Sequence, residues 1–504
     1  MSKLSRHRRI LELCLGLAAL TLSSASCRQP VCADSETCLR VDVDTQLDSS
    51  SPNGFAMLDI VLLDKSCQAL GRFNATPSSL HLPGQFEVQL NSLPSSRTNA
   101  QPIPREAIAH AVAIAWPSAQ STPWSGRTLV ENLGEGFHVS VAPPQVPNKK
   151  FTHSSLQDFT NINDIKATRT ETGSSLVIAG DVVKCFPFNL TSNSSFGVSF
   201  TVEAASPGVN FPLIHGHNIS DEFAISYLSS SGDFFSSSMT NGECDKIKPS
   251  ELIISPGLAM KSVHSWWSKC PDISPEIKPE FLFIDSSDPP NISIFGQGCN
   301  GTPINMVAST LCGSKDVIAI NSYPKNNLTE MFAVIDNPSS NIFRLCTLQR
   351  SVSAWTPDMP LNLQLNSRPI GLEFADLDRD GNPEGIIAAA DGQLQIIELK
   401  KDDSGWMLDG SLSLVGTTSN FAFDITKLSV GDFNGDTLTD IALSNGDEAH
   451  IRLGNGHGGF AADQVLTLAK DSKVMDVADL NNNCSDELIF GLSNAKFEIF
   501  SADK

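Results

Sequence analysis

Apolar and polar residues alternate in short runs through the first third of this 504-residue chain. "LRVDVDTQL", "FAMLDIVLLD", "QFEVQL", "AHAVAIAW" and "FHVSVA" follow the period of strands. "AHAVAIAW" has a helical alternative, but its β-branched and aromatic residues and nearby prolines favour strand. Gly, Pro, Ser and Asn clusters separate the runs. Together they predict a small Ig-like β-sandwich over residues 39–142. "PPQVPNKK", residues 143–150, reads as a linker. Residues 151–504 show no long helical periodicity, so the whole chain is expected to be all-β.

The C-terminal part repeats itself. "ADLDRDGNPEGIIAAADGQLQIIEL", "GDFNGDTLTDIALSNGDEAHIRL" and "ADLNNNCSDELIFGLSNAKFEIF" each run from an acidic or amide loop into an apolar strand, a turn and a second strand. The residues opening the first strand are Glu384, Asp440 and Glu487, 56 and 47 positions apart. The strand signature recurs upstream at Ser175, Glu222, Glu280 and Asp316, which makes seven anchors at a mean spacing of about 52 residues. That length holds one four-stranded propeller blade. The spacings of 36 and 68 on either side of Asp316 are uneven, so six or eight blades also fit, and seven is the count the anchors give. A closed ring protects sheet edges that three isolated repeats would leave open.

The loops carry the candidate chemistry. Counted from the first Asp, positions 1, 3, 5, 7 and 9 are Asp376, Asp378, Asp380, Asn382 and Glu384 in loop 1. They are Asp432, Asn434, Asp436, Leu438 and Asp440 in loop 2, and Asp479, Asn481, Asn483, Ser485 and Glu487 in loop 3. Alternate spacing in a tight loop turns side-chain oxygens toward one point, which suits Ca²⁺. Position 7 would offer its backbone carbonyl, so its side chain varies. An EF-hand would need a bidentate Glu at position 12, where Ile387, Leu443 and Phe490 stand. Gly381 and Gly435 ease the turns. The third loop has Cys484 at position 6 and fewer carboxylates, which predicts weaker binding. The competing reading is that Asp and Asn merely shape turns.

These segments resemble FG-GAP/VCBS repeats, the Ca²⁺-loop blades of integrin-α-type β-propellers. The match covers residues 370–504 and extends in "GDFNGDTLTDIALSNGDEAHIRLGNGHGGF" over a whole repeat, with "LGNGHGGF" as the turn leading out of the blade. The resemblance implies a Ca²⁺-stabilised propeller, extracellular and used for adhesion or ligand binding.

Charge and cysteines narrow the setting. A net charge of −21 excludes a nucleic-acid partner, which needs a basic surface. "MSKLSRHRRI", then "LELCLGLAALTL", then small residues before Cys27, follows the order of a secretory signal, residues 1–26. "ASC" resembles a bacterial lipoprotein cleavage site, with Ser24 in place of the usual Leu. Lipidation of Cys27 would leave 27–38 as a tether, and the alternative is ordinary cleavage after Ala25 or Ser26. Without Cys14 and Cys27, ten of twelve cysteines remain, an even set that fits disulfides in an exported chain. Cys32–Cys38, Cys38–Cys67 and Cys299–Cys312 are local guesses at pairing. The eight N-x-S/T sequons are about what this Ser/Thr content gives by chance.

Other signals are weaker. "CPDISPEIKPEF" places Asp272, Ser274, Glu276 and Glu280 at loop positions 1, 3, 5 and 9, with two prolines against it. His215 and His217 lack a third ligand, and Trp266 and Trp267 beside His264 read first as packing. No H-E-x-x-H, G-x-S-x-G or Walker loop is present. The expectation is a non-catalytic bacterial outer-membrane or cell-surface lipoprotein. It would bind a protein or glycan at the propeller face and touch the membrane through its N-terminal lipid alone. The alternatives are a polysaccharide lyase or hydrolase with its site in the central channel, and a eukaryotic adhesion ectodomain.

Overall fold

The computed structural model describes residues 54–75, most of 103–130, 365–402 and 425–502, and elsewhere the strands named below, from Cys38 onward. The signal segment and Cys27 lie outside the described residues.

Seven strands build the N-terminal unit: β1 (Cys38–Thr45), β2 (Met57–Leu63), β3 (Ala69–Ala75), β4 (Gly84–Gln89), β5 (His110–Trp116), β6 (Trp124–Leu129) and β7 (Phe137–Val141). They form two sheets, in the orders β4-β1-β7 and β3-β2-β5-β6. Leu39, Val41 and Val43 of β1 alternate into a core shared with Leu58, Ile60 and Leu62 of β2 and Ala111, Ala113 and Ala115 of β5. The sheets face each other as a sandwich, with the alanines making room for larger residues opposite. The opposite faces of β2 and β5 are also buried: Val61, Leu63, Val112, Ile114 and Trp116 form a second cluster. Burial on both sides explains why "MLDIVLL" and "HAVAIAW" are almost continuously apolar, where a half-solvated strand would alternate. β3 and β6, whose sequences carry Gly and polar residues, escape the periodicity reading and lie outermost in their sheet.

Seven antiparallel sheets follow among the described residues. Blade 1 opens with Ile162–Arg169, Ser174–Gly180 and Val183–Asn189, and blade 2 with Leu213–Ile219, Glu222–Leu228 and Phe234–Thr240. Blade 3 opens with Met260–Lys269, Ile277–Asp285 and Ile292–Gly296, and blade 4 with Val317–Lys325, Leu328–Ser339 and Ile342–Arg350. Blade 5 is Pro369–Ala375, Glu384–Ala389, Leu394–Asp402 and Gly405–Leu408; blade 6 is Lys427–Gly431, Asp440–Ser444, Glu448–Arg452 and Gln464–Thr467. Blade 7 has Ser472–Ala478, Glu487–Leu492 and Phe497–Ser501 from the C-terminus, and takes its fourth strand, β8 (Lys149–His153), from the other end of the propeller. Neighbouring blades abut all the way round, and the first strand of blade 7 meets that of blade 1. The ring is closed by a sheet made from both ends of its chain, which ties its stability to long-range pairing.

Three expectations need correction. Lys149 and Lys150, read as linker, already belong to β8. Six of the seven anchors lie in the second strand of a blade, but Asp316 precedes Val317–Lys325, the first strand of blade 4. The second strand there is Leu328–Ser339, and Glu330 within it stands 50 residues after Glu280 and 54 before Glu384, which removes the uneven spacing. Cys67 pairs with Cys484, 417 residues away, not with Cys38. A second disulfide, Cys185–Cys244, joins blade 1 to blade 2. Cys32, Cys299 and Cys312 lie outside the described residues.

Candidate metal centre

Loops 1, 2 and 3 each join the first strand of a blade to the second, in blades 5, 6 and 7, so they share one face of the ring. Their backbones are alike. Positions 4 and 6 take positive φ in all three: Arg379 (68°) and Gly381 (89°), Gly435 (70°) and Thr437 (68°), Asn482 (58°) and Cys484 (59°). The hydrogen bonds repeat as well. The position 2 N–H donates to the position 9 carboxylate, from Leu377 to Glu384 (2.6 Å), Phe433 to Asp440 (2.8 Å) and Leu480 to Glu487 (2.7 Å). The position 6 N–H donates to the position 1 carboxylate, from Gly381 to Asp376 (3.1 Å), Thr437 to Asp432 (2.7 Å) and Cys484 to Asp479 (2.7 Å). Position 5 N–H donates to position 3 and position 7 N–H to position 5 in each loop. Glycine is thus not required at position 6: Cys484 adopts the turn expected to suffer without it.

Loop 1 gathers its carboxylates most closely. Asp376, Asp378 and Glu384 each bring one oxygen within 4.8 Å of the others. Asp376 Oδ1 and Glu384 Oε1 are buried and accept no hydrogen bond. Asp380 is turned to Asn382, accepting from its N–H (2.7 Å) and Nδ2 (2.9 Å). Burial, followed by the charges of Asp378, Asp376 and Asp380, pushes the Glu384 carboxyl up to about 8. Burial also raises Asp376. Buried, clustered carboxylates with idle oxygens are a donor set that a hard divalent cation satisfies.

Among the described residues no three carboxylates come this close in loops 2 and 3. In loop 2, Asp440 accepts the N–H groups of Phe433 and Gly454, both at 2.8 Å, and burial with the Asp436 and Asp432 charges raises it well above the usual range. Asn434 Nδ2 donates to Asp436 (2.9 Å). In loop 3, Asn481 Nδ2 and the Ser501 hydroxyl both donate to Glu487 Oε1. Burial, then Asp479, lifts Glu487 to about 8. The donor types fit a cation in all three loops, with the fewest charges in loop 3.

The earlier fourth site does not share this geometry. The strand Ile277–Asp285 begins three residues before Glu280, so the chain is already extended where positions 6 to 8 of a loop would turn. Asp272, Ser274 and Glu276 lie outside the described residues. His215 and His217 fall in the first strand of blade 2, and His264, Trp266 and Trp267 in the first strand of blade 3.

What sequence reading missed is the cover over these loops. The outer face of β2 and β5 packs on Leu438 and Cys484. Arg379 Nη1 donates to Asp59 Oδ2, its Nε donates to the Gly456 carbonyl (2.9 Å), and its guanidinium lies 4.8 Å from the Trp116 ring centroid. Trp116 Nε1 donates to the Asn455 carbonyl (2.8 Å), and the His457 ring lies 5.6 Å from the Trp116 ring. "LGNGHGGF" therefore folds back between loop 1 and the sandwich, instead of simply leading out of the blade. A Cβ at Gly454 would lie 2.2 Å from the Thr439 carbonyl oxygen, which is why glycine stands there. The one available signal was the unbroken apolar character of β2 and β5.

No protein-family signature matches the chain, and no curated protein is similar to it in sequence. Among solved structures it is similar to the BBS1N fragment crystallised in complex with ARL6DN (11% identity, TM-score 0.44, covering 71% of this chain and 97% of that one). It is likewise similar to the β-propeller domain of Cps50 (Swd1) from Myceliophteria thermophila (12%, 0.44, 70% and 100%). Saccharomyces cerevisiae Sqt1 is a third such structure (11%, 0.41, 79% and 93%).

Proposed function

We propose that this chain is an exported binding protein whose propeller is stabilised by Ca²⁺ and offers its face to a protein or glycan ligand. The observation that carries the cation reading is the pair of idle, buried oxygens, Asp376 Oδ1 and Glu384 Oε1, among clustered carboxylates. Asp376, Asp378 and Glu384 would hold the ion in loop 1; Asp432, Asn434, Asp436 and Asp440 in loop 2; Asp479, Asn481, Asn483 and Glu487 in loop 3. Bound Ca²⁺ supplies positive charge that offsets carboxylate repulsion. The chain's own residues do the rest. Backbone N–H groups orient each carboxylate, and the strand that opens at position 9 fixes that ligand to the blade.

The disulfides Cys67–Cys484 and Cys185–Cys244 support an oxidising, extracytoplasmic setting. Cys27 as a lipid anchor at a bacterial outer membrane completes the reading. A closed ring with its metals at the turns suits a rigid scaffold that acts by binding. Calcium titration by calorimetry on EDTA-stripped protein, followed by a protein and glycan array with and without Ca²⁺, tests it. Saturable calcium binding and a Ca²⁺-dependent ligand are expected. A stripped protein that takes up no Ca²⁺ would overturn the cation reading, and an empty array would overturn the binding role.

A propeller hydrolase or lyase is the second reading. Its support is Lys166, in the first strand of blade 1, paired with Asp476 of blade 7 at 3.0 Å near Asp164 and Glu373. Asp476 also accepts the Ala167 N–H (2.7 Å), which suits a tie between blades. Turnover of acidic polysaccharides that disappears in Lys166→Ala would favour the enzyme.

A further inference from the structure

Each acidic loop holds a residue in the left-handed region that is neither glycine nor asparagine, and each loop is fastened to the sandwich at or beside that residue. Arg379, at position 4 of loop 1, has φ 68° and reaches Asp59 and the Trp116 ring. Thr437, at position 6 of loop 2, has φ 68°, and the next residue, Leu438, is buried against Val61, Leu63, Val112, Ile114 and Trp116. Cys484, at position 6 of loop 3, has φ 59° and is bonded to Cys67 of the sandwich. L-residues resist this conformation, and a β-branched one most. Yet the same turns aim the position 6 N–H at the position 1 carboxylate and bring position 3 beside position 5.

Positions 4 and 6, and the side chain of position 7, are free of ligand duty in all three loops. The sandwich therefore grips the loops where gripping costs no ligand. It holds each strained residue in the conformation that presents the carboxylates.

We propose that docking of the N-terminal sandwich and cation binding by the loops are coupled. The docked sandwich preorganises the loops for the cation, and filled loops hold the sandwich in place. The coupling rests on the Ca²⁺ reading above. It is reciprocal by linkage: whatever factor docking adds to cation affinity, the cation adds to docking. Loop 1 is the place to measure it, because its tie is non-covalent while loop 3 is held by a disulfide.

The test uses the full chain and calcium calorimetry. Asp59→Asn alters no loop residue, but removes the charge that Arg379 reaches for. It should weaken the loop 1 site by about tenfold. Arg379→Gly frees position 4 to take positive φ without an anchor. In that background Asp59→Asn should change affinity by no more than about twofold. Hydrogen exchange across residues 57–63 and 110–116 should slow on adding Ca²⁺ to the parent chain. Should Asp59→Asn fail to fold by circular dichroism, Trp116→Phe, which drops the Asn455 hydrogen bond and keeps a ring, carries the same test. A parent that binds Ca²⁺ with affinity untouched by either variant would overturn the coupling and leave the calcium reading intact. An equal loss from Asp59→Asn with and without Arg379→Gly would overturn it too. A parent that binds no Ca²⁺ would sink both.

Discussion

Glu384 opens its strand as a residue only 3% exposed, beside three aspartates. Without a cation that cluster repels itself, and a bound cation would relieve it. Glu384→Gln keeps the shape and an acceptor for the Leu377 N–H while removing the group that can ionise. In EDTA at neutral pH the variant should melt no lower than the parent, because burial already keeps the Glu384 carboxyl mostly protonated and Gln replaces one neutral group with another. In saturating Ca²⁺ it should melt below the parent and bind loop 1 calcium about tenfold more weakly or worse. Paired melting curves decide this: a variant equally destabilised with and without Ca²⁺ would make Glu384 structural. His457 gives a separate, proton-driven expectation. Burial, then the Arg379 charge, lowers its pKa from 6.5, while Asp59 and Asp378 act in the opposite sense. The folded state therefore binds fewer protons than the unfolded chain. Its contribution to stability is present above pH 6.5 and is lost as pH falls through that value and below. In EDTA the raised Glu384 and Glu487 carboxyls add stability as pH falls from 7 to 5 and His457 opposes them, so His457→Gln should make the melting temperature rise more steeply over that range. A slope unchanged in the variant would show that His457 adds nothing to it.

At the scale of elements, the three loops are one structure written in three sequences. Their candidate positions could be read because alternate spacing is local. The backbone at Arg379, Thr437 and Cys484 was not, because nothing in those residue types marks positive φ. What holds them there lies on another unit, hundreds of residues away in the chain. The strands show the same division. β2 and β5 could be read from their apolar residues, while β3 and β6 could not, since outer strands with Gly and Arg carry little periodicity. Asp316 was mistaken for a second-strand anchor because "KDVIAI" has the local pattern, and only pairing shows that Leu328–Ser339 fills that place. The closing turn of blade 6 is equally specified by packing. Gly454→Ala would drive a methyl into the Thr439 carbonyl and disturb the Gly454 N–H bond to Asp440. It should cost about 1–3 kcal/mol and weaken loop 2 calcium binding. Chemical denaturation with and without Ca²⁺ measures both, and a variant as stable as the parent would show that the turn can shift.

Across the whole molecule, two closures act on the same region. β8 completes blade 7 from the N-terminal side, and Cys67–Cys484 ties the sandwich to loop 3 of that blade. The sandwich is therefore joined to the propeller by the chain entering β8, by a disulfide, and by the contacts of Trp116, Arg379 and Leu438. Replacing both Cys67 and Cys484 with Ser leaves the first and third of these. The propeller ring should persist, because its closure runs through strand pairing. The sandwich, with its second apolar face still to cover, should stay docked at rest but lose the constraint that keeps it near when it opens. Removal of a native disulfide commonly costs about 2–5 kcal/mol. Here the loss should fall on the sandwich, so calorimetry should show its transition separating below that of the propeller. Added Ca²⁺ should raise both, the propeller directly and the sandwich through the loops it sits on. A single transition that moves as one would mean that the buried face of β2 and β5 holds the two units together without the disulfide. A lower transition indifferent to Ca²⁺ would mean that the sandwich rests on the loops without sensing what fills them.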